Sequence, residues 1–102
     1  MNFINLTPHD IVMNDGTVYP SQGVARLTDT YTTFDDNGVC DVTYGDITNL
    51  PDPKYNTCYI VSSLVLSAAK ALGRKDVVTP ATGHSDCKRH NGNIVSVPGF
   101  IR

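Results

Sequence analysis

TCYIVSSLVLSAAKALGRKDVVTPATG, Thr57 to Gly83, decides the fold, because it holds the one long helical pattern of the chain between two extended runs. Cys58, Tyr59, Ile60 and Val61 are aromatic or apolar without alternation, which suits a buried strand. Ser62 and Ser63 interrupt that run, and either hydroxyl can cap a helix by accepting from a free first-turn N–H. The spacing predicts a helix from about Ser63 to Leu72 that lays Leu64, Val65, Ala68 and Leu72 on the core, with Ser67 and Lys70 on the wetter side. On that reading Leu72→Ala costs about 2 to 5 kcal/mol. Gly73 is a natural stop, and Arg74 and Lys75 complement the negative end of the helix dipole. Val77 to Thr79 then form a brief strand ahead of the turn Pro80-Ala81-Thr82-Gly83.

Outward from this stretch, turn residues punctuate the chain. Phe3, Ile4 and Leu6 make a first strand, stopped at Thr7-Pro8 because the residue before proline avoids helical angles. Asn14-Asp15-Gly16 between Ile11–Met13 and Thr17–Tyr19 reads as a hairpin. A second joins Val24–Phe34 to Val39–Tyr44 through Asp35-Asp36-Asn37-Gly38, and Gly45-Asp46 end it. In its return strand Val39, Asp41 and Thr43 alternate with Cys40, Val42 and Tyr44, giving one apolar and one polar face. Leu50-Pro51-Asp52-Pro53 is a stiff connector, and Asn91-Gly92 marks a last hairpin. The expectation is a single-domain, β-rich α+β fold over residues 1–102: a mostly antiparallel sheet of about seven or eight short strands under one covering helix.

Composition narrows the function classes. In 102 residues there are eight Lys and Arg against ten acidic residues, a net charge of −2. That balance argues against nucleic acid as the main partner but admits a small anionic ligand held by two or three cations. The start, MNFINLTPHD, has neither the basic nor the apolar region of a signal peptide, and serines break the longest apolar run, so no membrane partner and a cytoplasmic location are expected. Cys40, Cys58 and Cys87 are odd in number and far apart, which predicts reduced thiols.

Several pieces taken together carry a resemblance: INLTPHDI from Ile4, GTVYPSQGVAR from Gly16, VTYGD from Val42 with Leu50-Pro51, YIVS from Tyr59, PATG from Pro80 and GNIVSVPGF from Gly92. In that order they resemble a family of small phage, prophage and bacterial proteins, over most of the chain. The resemblance transfers no catalytic residue. What it implies is context, since many phage proteins of this size blunt host immunity, either by sequestering a nucleotide-derived signal or by binding a defence protein.

The candidate binding constellation joins Ser62 and Ser63 at the helix N-terminus with Thr82, Gly83, His84 and Arg89, and with Lys88 nearby. Helix N–H groups and hydroxyls bind phosphate oxygens, glycine admits close approach, and Arg can bond bidentately. Tyr44 or Tyr59 could stack on a base. The plain alternative is a capped helix, a Thr-Gly turn and an edge charge. His84, Cys87 and His90 could meet at a metal, but their spacing matches no common zinc pattern and a fourth ligand is wanting, so no metal is expected. Cys87 with either histidine, or Ser62 or Ser63 with His9, could make a nucleophile only by tertiary geometry. No Gly-x-Ser-x-Gly, Walker or Gly-x-Gly-x-x-Gly pattern is present, so no cofactor is expected and catalysis is the lesser reading.

The functional expectation is a non-enzymatic capture of a phosphorylated nucleotide-type small molecule. The alternatives are direct contact with a host defence protein and, third, hydrolysis of the signal. A pocket shared across a homo-oligomer would suit so short a chain. Titration of denatured, unreduced protein should find three free thiols, and finding one would mean that a disulfide has formed.

Overall fold

An apolar run without alternation must be covered on both faces, and Cys58–Val61 sits where that happens. The computed structural model describes residues 1–102. Its elements in chain order are β1 (Asn2–Asn5), β2 (Ile11–Val12), β3 (Val18–Tyr19), β4 (Arg26–Tyr31), β5 (Val42–Thr48), β6 (Thr57–Ile60), α1 (Ser63–Ala71), β7 (Val77–Pro80), β8 (Lys88–His90), β9 (Asn93–Ser96) and β10 (Phe100–Ile101). The fold is α+β, with one helix and four separate sheets: a four-stranded sheet in the order β1-β6-β7-β10 and the pairs β2-β3, β4-β5 and β8-β9.

The single, mostly antiparallel sheet expected above does not form. In the central sheet β1 and β7 both run parallel to β6, and only β10 runs antiparallel to its neighbour β7. The pairing sets Asn5 beside Ile60 and Ile60 beside Val78. Turn residues announce hairpins, whereas parallel partners are distant in the chain and joined by crossovers, which leave no local signature.

Alternation along the central strands divides the core in two. Tyr59, Val61 and Val77 join Val65, Leu66 and Ala69 of the helix on one face, with Leu6 and Ala25. Cys58, Ile60 and Val78 meet Ile11 and Val97 on the other. Phe3, Tyr19 and Phe100 close that second face as an aromatic cluster, with ring centroids 5.0 to 5.9 Å apart. The β2-β3 hairpin reaches the same face through bonds from Asn14 N–H to Val97 O (2.8 Å) and from Val97 N–H to Val12 O (3.0 Å).

Ser62 is the N-cap of α1, its hydroxyl accepting from the Val65 amide at 3.4 Å. At the other end Gly73 adopts φ +81°, and the amides of Gly73 and Arg74 return to Lys70 O (2.9 Å) and Ala69 O (3.0 Å), a Schellman closure. The buried stripe is Val65, Leu66 and Ala69: of the expected face Val65 is buried and Ala68 half-buried, but Leu64 and Leu72 stand 48% and 74% exposed. A helix of nine residues is too short for periodicity to fix its phase, and Leu72 is already the C-cap. Beyond the cap Arg74 does more than answer the dipole. Its Nε and Nη2 fork onto Asp76 at 2.8 and 2.9 Å, and Nη2 also donates to Pro51 O at 2.8 Å. That clamp fastens the connector after β5 to the end of the helix.

The Asn14-Asp15-Gly16 and Asn91-Gly92 hairpins form as read, the latter with φ +51° and +80° at its two turn residues. The β4-β5 hairpin differs. β5 begins at Val42 and runs on through Gly45 and Asp46 to Thr48, so those residues do not end it. The ladder is irregular between Leu27 and Asp29, and a Cβ on Gly45 would stand 2.5 Å from Thr28 Oγ1. Glycine here admits a bulge inside the strand. Only Leu27 and Ile47 reach the core. From Thr28 to Asp46 every residue but the half-buried Cys40 is exposed, so neither face of this ribbon is an apolar interior. The arm stretches the molecule to a radius of gyration of 15.6 Å, against about 13 Å for a compact chain of this length. No helix is long and apolar enough to cross a membrane.

Leu66→Ala should cost about 2 to 5 kcal/mol in denaturant unfolding, and Leu72→Ala less than about 1 kcal/mol. Equal losses would mean that the helix is rotated. The fork from Arg74 holds the Asp76 carboxyl below its ordinary value. A carboxyl held down in the fold contributes stability above its unfolded pKa of about 3.9, and the contribution is lost as pH falls through the folded value. Asp76→Asn should therefore be less stable than the parent at neutral pH, with the difference shrinking in acid below about pH 3.9. Denaturant midpoints at several pH values check this.

Candidate functional site

Three parallel strands finish side by side, and two residues past each end stands a hydroxyl: Thr7 after β1, Ser62 after β6 and Thr82 after β7. Parallel α/β units place ligands at such carboxyl ends, because the loops diverge there and a helix presents its N-terminus. The first intrahelical bond runs from Leu66 N–H to Ser62 O (2.9 Å), so the Ser63 and Leu64 amides lie ahead of it at the open end of α1.

The three hydroxyls are not equally free. Thr7 Oγ1 lies 2.7 Å from Asn5 Oδ1, which takes its proton. Ser62 Oγ accepts from Val65 N–H at 3.4 Å, and its own proton has no acceptor in the protein. The half-buried Thr82 makes no side-chain hydrogen bond. Ser62 and Thr82 therefore retain donor capacity towards a third party.

All three line one cavity of about 470 Å³. Its other polar groups come from His9, Asp10 and Ser96, and Ile11, Val61, Ile94 and Val95 supply apolar wall. No Lys or Arg lines it. A phosphate here would be met by hydroxyls without a cation, in a wall that also holds the Asp10 carboxyl. Asp10 Oδ1 accepts from Ser21 N–H at 2.9 Å, which spends part of its acceptor capacity inside the protein.

Thr7 and Ser62 also edge a second cavity, of about 500 Å³, whose further walls include Arg26, Asp29, Tyr44 and Leu64. Tyr44 thus shares a cavity with Ser62 that Thr82 does not line. The two cavities flank the helix N-terminus.

The remaining members of the expected constellation do not line either cavity. Arg89 turns to the backbone, where Nη2 donates to Thr82 O at 2.8 Å and Nη1 to Gly92 O at 3.4 Å. It braces the Thr82 turn from the adjoining hairpin. His84 Nδ1 accepts from Asp86 N–H at 3.0 Å, so the ring closes its own turn. Gly83 has open space where a Cβ would stand, and no close approach calls for glycine. Ser63, exposed, contributes its amide at the first helical position. Lys88 is exposed in β8.

The lesser candidates divide in the same way. His9 and Ser62 share a cavity wall, the least a hydroxyl nucleophile would need, but Ser62 is engaged as the cap. Cys87 packs towards the second core cluster, and no three His, Cys, Asp or Glu side chains converge to hold a metal. All three cysteines are free thiols, and burial pushes the Cys58 thiol up.

Thr7, Ser96, Ile94 and Val95 were not anticipated as site residues. Thr7 read as a strand stop before Pro8, and its place beside Ser62 follows only once β1 is known to run parallel to β6. No family model, no curated protein and no solved structure matches the chain.

Proposed function

We propose that this protein captures a phosphorylated, nucleotide-type small molecule at the carboxyl ends of β1, β6 and β7, without converting it. Withdrawing such a signal from a host defence system is the role that the resemblance to small phage proteins implies. What supports the reading is the pairing of Ser62 and Thr82, two hydroxyls free to donate, in one cavity beside the start of α1. The Ser62 and Thr82 hydroxyls would meet the phosphate oxygens, at the positive end of the α1 dipole. Ile11, Ile94 and Val95 would cover a ring. Tyr44 lines the neighbouring cavity with Ser62, where a second ring or a ribose would lie against it. Arg89 acts at one remove, by fixing the Thr82 carbonyl and with it the turn.

The test is to incubate the pure protein with cyclic nucleotides and ADP-ribose derivatives, remove the excess, denature, and analyse what is released. Intact ligand is the expected result. Converted ligand would make the protein an enzyme acting on the signal, and no ligand at all would leave direct contact with a defence protein as the function. For a ligand that is retained, Thr82→Val keeps the shape and deletes the hydroxyl. It should weaken binding by about 0.5 to 1.5 kcal/mol, roughly two- to tenfold, with little change in melting temperature. Unchanged affinity would remove Thr82 from the site.

A further inference from the structure

Half of the acid in this chain stands on one arm. From Thr28 to Asp46 the β4-β5 ribbon carries Asp29, Asp35, Asp36, Asp41 and Asp46, five of the ten acidic residues, and no Lys or Arg. The bases gather elsewhere. Lys70, Arg74, Lys75 and Arg102, four of the eight Lys and Arg, line adjoining depressions past the C-terminal end of α1, against the single carboxylate of Asp76. A chain of net charge −2 thus carries an acidic arm and a basic pole.

Both regions also expose large apolar surface. On the arm Tyr31, Phe34 and Val39 are 62%, 73% and 59% exposed. Beside the pole Leu72 precedes Gly73 and Tyr55 precedes Asn56, two of the lining residues, and these side chains are 74% and 98% exposed. A two-stranded ribbon is marginal in water on its own, and an apolar one is a surface awaiting cover.

The arm cannot reach its own pole. Its root, Pro51, is tied to Arg74 at the C-terminal end of the helix, and Tyr44 lies beside Leu64 at the other end. The ribbon therefore runs along α1 and continues past its N-terminus to the turn at Asp35–Gly38, away from the basic residues. Complementary surfaces that cannot meet within one chain can meet between two.

We propose that the acidic, apolar arm of one copy docks on the basic pole of a second copy of this chain. Asp36 and Asp41 would face Lys70 and Lys75, and Phe34 would pack against Leu72 and Tyr55. Two copies that exchange arms about a two-fold axis satisfy both surfaces of each at once.

The experiment is light scattering on the size-separated full chain at two salt concentrations, with charge-reversal variants. The parent should run at twice the monomer mass at about 0.1 M salt. It should shift towards the monomer at about 1 M, where charges are screened beyond about 3 Å. Asp36→Lys with Asp41→Lys, and separately Lys70→Glu with Lys75→Glu, should each be monomeric at low salt. None of these side chains makes a hydrogen bond or ion pair within the chain, so melting temperatures should stay near that of the parent. Mixing the two variants should restore a complex of twice the monomer mass, since the reversed arm of one fits the reversed pole of the other. Phe34→Ser supplies a check independent of charge and should also favour the monomer. A parent that is monomeric at low salt, or variants that associate singly but not when mixed, would overturn the proposal. So would a monomer whose melting temperature rises with tripolyphosphate in a manner abolished by Lys70→Glu with Lys75→Glu, because the pole would then be a small-anion site.

Discussion

The carboxamide of Asn5 is the joint on which the remainder of the structure turns. It is wholly inaccessible to solvent, yet every hydrogen bond it can make is accounted for. Nδ2 donates to His9 O at 2.8 Å and to Tyr19 O at 2.9 Å, and Oδ1 accepts from the amide and the hydroxyl of Thr7. Its backbone pairs with Ile60 in the sheet, and its carbonyl accepts from Gln22 N–H at 2.9 Å. One side chain thus sets the end of β1, the turn through His9, the exit from β3 and, through the sheet, β6. A buried amide that is fully satisfied specifies its surroundings closely, because any other arrangement would strand one of its polar atoms in an apolar interior.

From that joint the cavity acquires its form. Asn5 holds Thr7 and His9 where they edge the space beyond the strands, and β6 delivers Ser62 in register beside them. The third wall depends on Arg89, which fastens the Thr82 carbonyl. The site is therefore built from backbone ends and short side chains, and charge has little part in it. Half of the cations stand at the far end of the helix, where Arg74 is occupied with Asp76 and Pro51 while the Lys70 and Lys75 side chains make no bond to the chain.

The legible parts of this fold were those written locally. Asn14-Asp15-Gly16 and Asn91-Gly92 state their hairpins because few residues accept positive φ. Ser62 and Gly73 mark the ends of a helix by capping chemistry that acts over a few residues. What could not be read depended on distance along the chain. The parallel pairing of β1 with β6 has no turn to announce it, and without it Thr7 has no evident link to Ser62. The helix phase is ambiguous in the sequence because Leu64, Val65, Leu66 and Leu72 spread over more than half of the helix circumference, and only the sheet decides which of them are covered. Gly45 looked like a strand end because glycine at a bulge and glycine at a stop are the same letter. Arg89 and Thr82 do meet, through a guanidinium on a carbonyl, a backbone contact that residue types alone do not announce.

The parallel sheet also sets the order in which this chain can become itself. β2-β3, β4-β5 and β8-β9 close over short stretches, so their formation draws on little loop entropy and is fast. Apart from a single bridge between Asn5 and Ser21, β1 has no strand partner until Thr57–Ile60 has been made, and β6 gains its second neighbour only when β7 follows the helix. On a ribosome the first half of the chain would emerge as hairpins without an interior, with the side-chain partners of Asn5 already made but β6 not yet there to cover it. Cooperative closure would wait on the passage of α1 and β7, which makes this a slow folder for its size and leaves the aromatic residues of the long ribbon uncovered meanwhile.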